Sequence, residues 1–345
     1  MQICGCQTVS RSRSPRRILL LALGGMCGVG AAPCYAEATD ASTKLATLST
    51  LIRQEKAAIQ TVQVRYVTSE EMPVGSPIHG GARAVRREVS LFRDGLKFRQ
   101  EYTTTAHGGP GGSGRDQRNW CVATFDGEIA RTRDSSSPGL LVTGRSGSVI
   151  TAVVPDPEAL VSFWSIDVLE SQITSGKLEL LEVADGDDHG GATVRVRVRS
   201  RSTGFTGNVW YARDRGYLFV RGEDIDRSGN RVGIAEVSRI EAIRGGDGST
   251  FYYPIEGSRN VIVGGREVGR LAFHVERESV RLNEPVPDKS MFALRRAPTE
   301  RAYDADLQTM LEEAPNQEEI PENEFTTRVL SPATAPSSMP HARPD

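Results

Sequence analysis

The run Thr193-Val-Arg-Val-Arg-Val-Arg199 alternates apolar and charged residues with a period of two. Consecutive side chains of a strand point to opposite faces, so Val194, Val196 and Val198 share one face. Arg195, Arg197 and Arg199 take the other, and no helix sorts this pattern into two sides. The same period returns in Val62-Gln-Val-Arg-Tyr66 and in Leu271-Ala-Phe273-His-Val275. Short apolar runs at 209–211, 217–222, 232–243 and 261–263 continue it between turn signals. Asp94-Gly95 and Asp126-Gly127 are strong hairpin pairs.

Helical spacing is confined to two places. Leu45, Leu48, Leu51, Ile52 and Ile59 predict a helix over 43–60, and Pro155-Asp-Pro157 predicts a short one over 156–164. No internal repeat of 20–50 residues is present. The pattern predicts a mainly β (α+β) fold. Its core is a large curved antiparallel sheet, an open half-barrel, whose concave face is covered by the N-terminal and central helices. Two helices offer few large side chains to so long a sheet. Either a cavity remains beneath them or the sheet closes on itself.

Residues 1–38 have the three parts of a secretory signal peptide. Arg11, Arg13, Arg16 and Arg17 form a basic start, residues 18–32 are apolar, and Ala36-Glu-Ala38 supplies small residues for cleavage. Cleavage after Ala38 is expected, with Ala36 the neighbouring alternative, and it leaves a periplasmic or secreted chain. Arg16-Arg17 half-matches a twin-arginine signal, so the export route stays open. Cleavage removes Arg11, Arg13, Arg16, Arg17 and Glu37, which moves the formal net charge from −2 to −5. That balance speaks against nucleic acid as a partner. Cys121 alone remains of the five cysteines, so the exported chain has no internal disulfide and depends on a packed core. The main domain is expected over 39–295. Residues 296–345 are acidic and proline-rich, a largely disordered tail with one amphipathic run, 304–314, that predicts a short helix.

Catalytic and metal motifs are weak. Gly109-Pro-Gly-Gly-Ser-Gly114 is followed by no helix and so lacks the N-terminus that holds a phosphate. Asp224-Ile-Asp226 opens like a calcium loop, but its twelfth position is Ala235, and a turn is the better reading. His79, His107 and His189 each precede Gly-Gly without a second ligand at metal spacing. Cys121 sits inside a strand as a small hydrophobe, and His274 shares the polar face of its strand. Glu70-Glu71 and Asp187-Asp188 are neighbours and point apart. The reading is a non-enzyme without cofactor or metal. Arg195, Arg197, Arg199 and Arg201 are read as a solvated stripe balanced by acids on adjacent strands rather than as an anion site.

A family resemblance adds to this. Trp210-Tyr-Ala-Arg-Asp-Arg-Gly-Tyr217 with Asp226-Arg-Ser-Gly229 resembles the central hairpins of the bacterial lipoprotein-carrier superfamily. That group contains the outer-membrane lipoprotein carrier LolA, its receptor LolB and the regulator RseB. Gly248 to Pro254 resembles its next strand start, and Val280-Arg-Leu-Asn283, Val286-Pro-Asp288 and Phe292 resemble its ending. The match runs over about 45–292, and Pro298-Thr-Glu300 lacks the glycine that often follows in the family. The resemblance implies helices lying in an open sheet over a hydrophobic cavity. It also implies lipid or lipoprotein acyl chains as ligands. An RseB-like sensor with a membrane-anchored protein partner is the alternative, and an envelope hydrolase a further one. The alternation places Val194, Val196, Val198, Leu271, Phe273 and Val275 on the apolar face as the expected ligand-binding residues.

Overall fold

The computed structural model describes residues 32–72, 83–107, 117–145, 154–161, 165–286, 288–297, 299–306 and 308–311. Helix α1 (Ala32–Ala58) leads into β1 (Thr61–Met72), β2 (Arg83–Asp94), β3 (Lys97–His107), β4 (Gln117–Phe125), β5 (Ala130–Asp134) and β6 (Leu140–Gly144). Two short helices follow, α2 (Pro157–Val161) and α3 (Ile166–Thr174). The chain then runs through β7 (Leu178–Gly186), β8 (Thr193–Ser200), β9 (Thr206–Ala212), β10 (Leu218–Ile225) and β11 (Arg231–Arg244). It ends in β12 (Thr250–Val263), β13 (Arg266–Val275), β14 (Arg281–Leu282), β15 (Arg301–Asp304) and β16 (Thr309–Leu311).

The described strands form one open sheet in the order β16-β15-β6-β5-β4-β3-β2-β1-β13-β12-β11-β10-β9-β8-β7, with β14 also paired to β1. Two meanders meet where β1 lies antiparallel to β13, Tyr66 opposite Val275 and Thr68 opposite Phe273. Only β6 and β15 pair in parallel among the described strands.

Period two decides which residues go inside. Val62, Val64, Tyr66, Val196, Val209, Tyr211, Phe273 and Val275 are buried on the inner face. Leu45, Leu48 and Ile52 of α1 and Ile166 and Leu169 of α3 close over them in the same core. Gly257 leaves room there for an aromatic neighbour: a Cβ at that position would sit 2.6 Å from the Phe273 ring across the strand pair. His274, between two inward residues, is exposed and faces Glu256 at 3.3 Å, as its alternation predicts.

The helices differ in detail from the expectation. Helix α1 starts at Ala32 rather than at 43, so Ala36 and Ala38 lie within its first turns, and residues 1–31 of the leader fall outside the described residues. Of the expected helix over 156–164 the structure shows α2, Pro157–Val161, and residues 162–164 lie outside the described residues. Asp156 Oδ1 accepts the Ala159 N–H at 3.0 Å and caps α2. A further helix, α3, follows, with Ser165 accepting the Val168 N–H. Arg53 Nη2 ties α1 to α3 through Asp167 at 2.7 Å and Glu170 at 2.5 Å.

The described part of the run 304–314 is not helical. Residues 301–304 and 309–311 form a hairpin whose first strand pairs with β6. Asp304 Oδ1 holds the Asp306 N–H at 2.9 Å, and Gln308 turns with a φ of 52°, so sheet pairing wins over a short helix without a capped start. Leu307 and the residues beyond 311 lie outside the described residues. The segment 288–300 crosses the outer face of β3–β5, where Phe292 and Leu294 are buried. Arg99 Nη1 donates to Met291 O at 3.1 Å, and Arg133 Nε to the buried Glu300 at 2.6 Å.

The β2–β3 turn also falls one residue later than expected. Asp94 pairs with Lys97, so Gly95 and Leu96 form the loop, with Gly95 at a φ of 57°. A glycine is suited to that left-handed position.

Candidate ligand pocket

The segment 154–161 is fixed to the middle of the inner face by one buried amide. Gln100 of β3 is fully buried. Its Nε2 donates to Val154 O at 2.6 Å, and its Oε1 accepts the Val154 N–H at 2.7 Å. Tyr66 OH accepts from the same Nε2 at 3.2 Å and donates to Pro155 O at 2.9 Å. Burial raises the Tyr66 phenol well above its ordinary value, so it stays a neutral donor. Helix α2 is held in turn by Glu158, which meets Lys56 Nζ at 3.0 Å.

Strand direction defines two ends of the sheet. The β8–β9, β10–β11 and β12–β13 turns lie at one, here the mouth; the β7–β8, β9–β10 and β11–β12 turns lie at the base. Near the mouth a pocket of about 330 Å³ is bounded by Leu178 of β7, Val198 and Ser200 of β8, Thr203 and Phe205 of the β8–β9 turn, and Gly207, Asp224 and Val232. This volume lies at the small end of the roughly 300–1,000 Å³ range of ligand pockets. Leu178 and Val198 are buried at its floor, whereas Phe205 keeps 40% of its surface exposed. Its polar groups are the Ser200 and Thr203 hydroxyls and the Asp224 carboxylate.

The structure places the six residues expected on the apolar face as follows. Val194, Val196, Val198, Phe273 and Val275 are buried in the core, and Leu271 packs half-buried against it. Val198 is the one that also lines the pocket. Leu271 lies opposite Arg259, which points to the same face. Burial lowers the Arg259 guanidinium to about 10, against the pull of Asp224, so it remains charged at neutral pH. The alternation does not reveal Phe205, Leu178 or Val232 as pocket walls. The available signal is Phe205 itself, a lone aromatic in a Ser-Thr-Gly turn.

The remaining candidates resolve plainly. Cys121 is buried on the inner face. Burial pushes its thiol up to about 11, opposed by a hydrogen bond with Tyr102. Asp226 folds into its own turn and accepts the N–H groups of Ser228 at 2.8 Å and Asn230 at 2.9 Å. Those bonds hold its carboxyl below the usual range. His107 is exposed at the end of β3, and His189 stands edge-on to Trp210 with ring centres 5.0 Å apart. His79 and Gly109–Gly114 lie outside the described residues. Among the described residues no group of three metal-ligating side chains converges. Arg195 meets Glu182 at 2.9 Å and Arg199 meets Glu179 at 3.8 Å, so the stripe is balanced by β7 as its period implies. Arg197 lies opposite Glu182, and Arg201 is exposed beyond the strand.

The chain is similar at low identity to several solved structures. A LolA-superfamily protein from Nitrosomonas europaea is 11% identical, with 71% of this chain and 96% of that one covered and a TM-score of 0.33. A DUF1329 family protein from Desulfovibrio piger is 14% identical, covering 72% and 96% with a TM-score of 0.38. A Pseudomonas aeruginosa MucA/MucB complex matches at 10% identity, covering 72% and 97% with a TM-score of 0.25. No family model and no curated protein matches the chain.

Proposed function

We propose that this chain is an exported, non-catalytic binding protein that holds an apolar chain, such as a lipid or lipoprotein acyl group, in the pocket at the mouth. The observation that carries the reading is the wall formed by Leu178, Val198, Phe205 and Val232 over about 330 Å³. Apolar walls reward methylene groups by roughly 0.8 kcal/mol each. The Asp224 carboxylate repels an anionic headgroup, so an acyl chain enters tail first and leaves its headgroup outside. Ser200 and Thr203 supply the few directional contacts that such pockets use for orientation. Export is supported by the basic, apolar and small-residue order of residues 11–38. On this reading the exported chain works in the periplasm or is secreted.

A series of fluorescent fatty acids tests the reading. Each two-carbon extension tightens binding about tenfold, until the pocket is full and the affinity levels off. Phe205→Ala weakens the longest probe, whereas Arg197→Ala on the outer face does not. Affinity independent of chain length, or equal loss in both variants, contradicts an apolar site at the mouth.

A further inference from the structure

The turns at the mouth carry charge of one dominant sign. Lys177, Arg201, Arg227, Arg231 and Arg266 are all exposed there, beside the acids Asp226 and Glu267. The three turns at the base are close to balance: Asp187, Asp188, Asp214 and Asp247 lie in them, against Arg213, Arg215 and the flanking Arg244. On a chain of net charge −2 the positive excess is therefore concentrated at the mouth. Two large apolar side chains stand among the cations of the mouth, Phe205 at 40% exposure and Val263 at 49%.

The cations are presented outward by the fold. Arg227 crosses from the β10–β11 turn to the β8–β9 turn, where its Nε donates to Thr203 O at 2.5 Å. This bond fixes the rim around Phe205. Arg201 follows the last residue of β8, and its N–H is held by Lys177 O at 3.0 Å, so Lys177 and Arg201 sit side by side. Exposed cations around protruding apolar groups match the two layers of an anionic bilayer surface, phosphates outside and acyl chains beneath.

We infer that the mouth docks on an anionic lipid surface, with Lys177, Arg201, Arg227 and Arg266 on the headgroups and Phe205 and Val263 in the interface. The inference stands apart from the acyl-chain reading, because docking needs no occupant in the pocket. It gives that reading a route, since the pocket then opens directly toward the membrane.

Sedimentation with lipid vesicles tests it, using the exported form of the chain. Vesicles of phosphatidylcholine with one-third phosphatidylglycerol bind the protein at low salt, and pure phosphatidylcholine vesicles do not. Roughly 1 kcal/mol per basic residue near such a surface corresponds to about fivefold. The double variant Arg201→Gln, Arg266→Gln therefore binds about 25-fold more weakly. The base-end pair Arg213→Gln, Arg215→Gln binds as the parent does. Equal binding to both vesicle types, no binding to either, or equal loss in the two double variants overturns the inference. If the mouth variant fails to fold by circular dichroism, the parent protein decides: its binding must fall steeply as salt rises to 0.5 M, where screening shortens to a few ångströms. Salt-independent binding overturns it as well. A fatty-acid titration on the folded mouth variant keeps the two readings apart, since pocket binding there is unchanged if only docking was lost.

Discussion

Gln100→Leu removes the buried amide that pairs with both main-chain groups of Val154. The native amide satisfies both main-chain groups of Val154, at 2.6 and 2.7 Å, inside a fully buried site. Leucine is similar in size and offers neither a donor nor an acceptor. A buried polar group left without a partner costs about 1–3 kcal/mol, so two of them cost about 2–6 kcal/mol before the small gain from the apolar side chain. The expected net loss is about 2–4 kcal/mol. Urea unfolding followed by circular dichroism reads it as a lower midpoint at unchanged slope. Gln63→Leu, at an exposed outer-face position of β1, is the control and changes stability by less than about 0.5 kcal/mol. A loss below about 1 kcal/mol in Gln100→Leu would mean that Val154 finds other partners and that the amide does not hold the segment. Tyr66→Phe removes the bond to Pro155 O, a long one to Val154 O and the acceptor for Gln100, and costs about 1 kcal/mol by the same assay.

The remaining expectations concern charge, thiol chemistry and processing. Glu300→Ala strands Arg133 against the outer face, where the carboxylate is buried at 2.6 Å, and lowers stability by about 2 kcal/mol in the same unfolding assay. The Cys121 thiol, pushed up to about 11, stays protonated below that pH. It reacts with a disulfide reagent at pH 8 only in denaturant, and rapid labelling of the folded protein contradicts its burial. Asp224→Asn removes the charge that disfavours an anion in the pocket, so a fatty acid binds the variant at least as tightly as the parent in the probe titration. N-terminal sequencing of the exported protein begins at Thr39, and a start at Met1 rules out the leader.

Most of the sheet is legible because alternation is local. Thr193–Arg199, Val62–Tyr66 and Leu271–Val275 each announce two faces, and the structure sorts them accordingly. The order of strands is less so. Pairing β1 with β13 joins residues about 200 positions apart, and nothing in either strand names the other. Helix α3 is short and rich in β-branched residues, which weakens its helical signal, although Ile166, Leu169 and Ile173 are correctly spaced for one face. The strands at 301–304 and 309–311 escape notice because their stability comes from pairing with β6, a tertiary partner. Gln100 also reads as a surface residue in Lys97-Phe-Arg-Gln-Glu-Tyr102, yet its even position puts it inward with Phe98 and Tyr102. The candidate pocket is the least legible part. Phe205 lies in a turn, where no periodicity assigns a face, and its neighbours Leu178 and Val232 come from strands brought near only by the sheet.

The account depends on where an apolar chain binds, and photo-crosslinking reads that position directly. A fatty acid carrying a diazirine at its methyl end is bound to the exported protein, irradiated, and the labelled peptides are located by mass spectrometry. Tail-first entry predicts label on Leu178, Val198, Phe205 or Val232, competed away by unlabelled fatty acid. Label on outer-face residues such as Trp120 or Tyr252, or label that no competitor displaces, contradicts a pocket at the mouth.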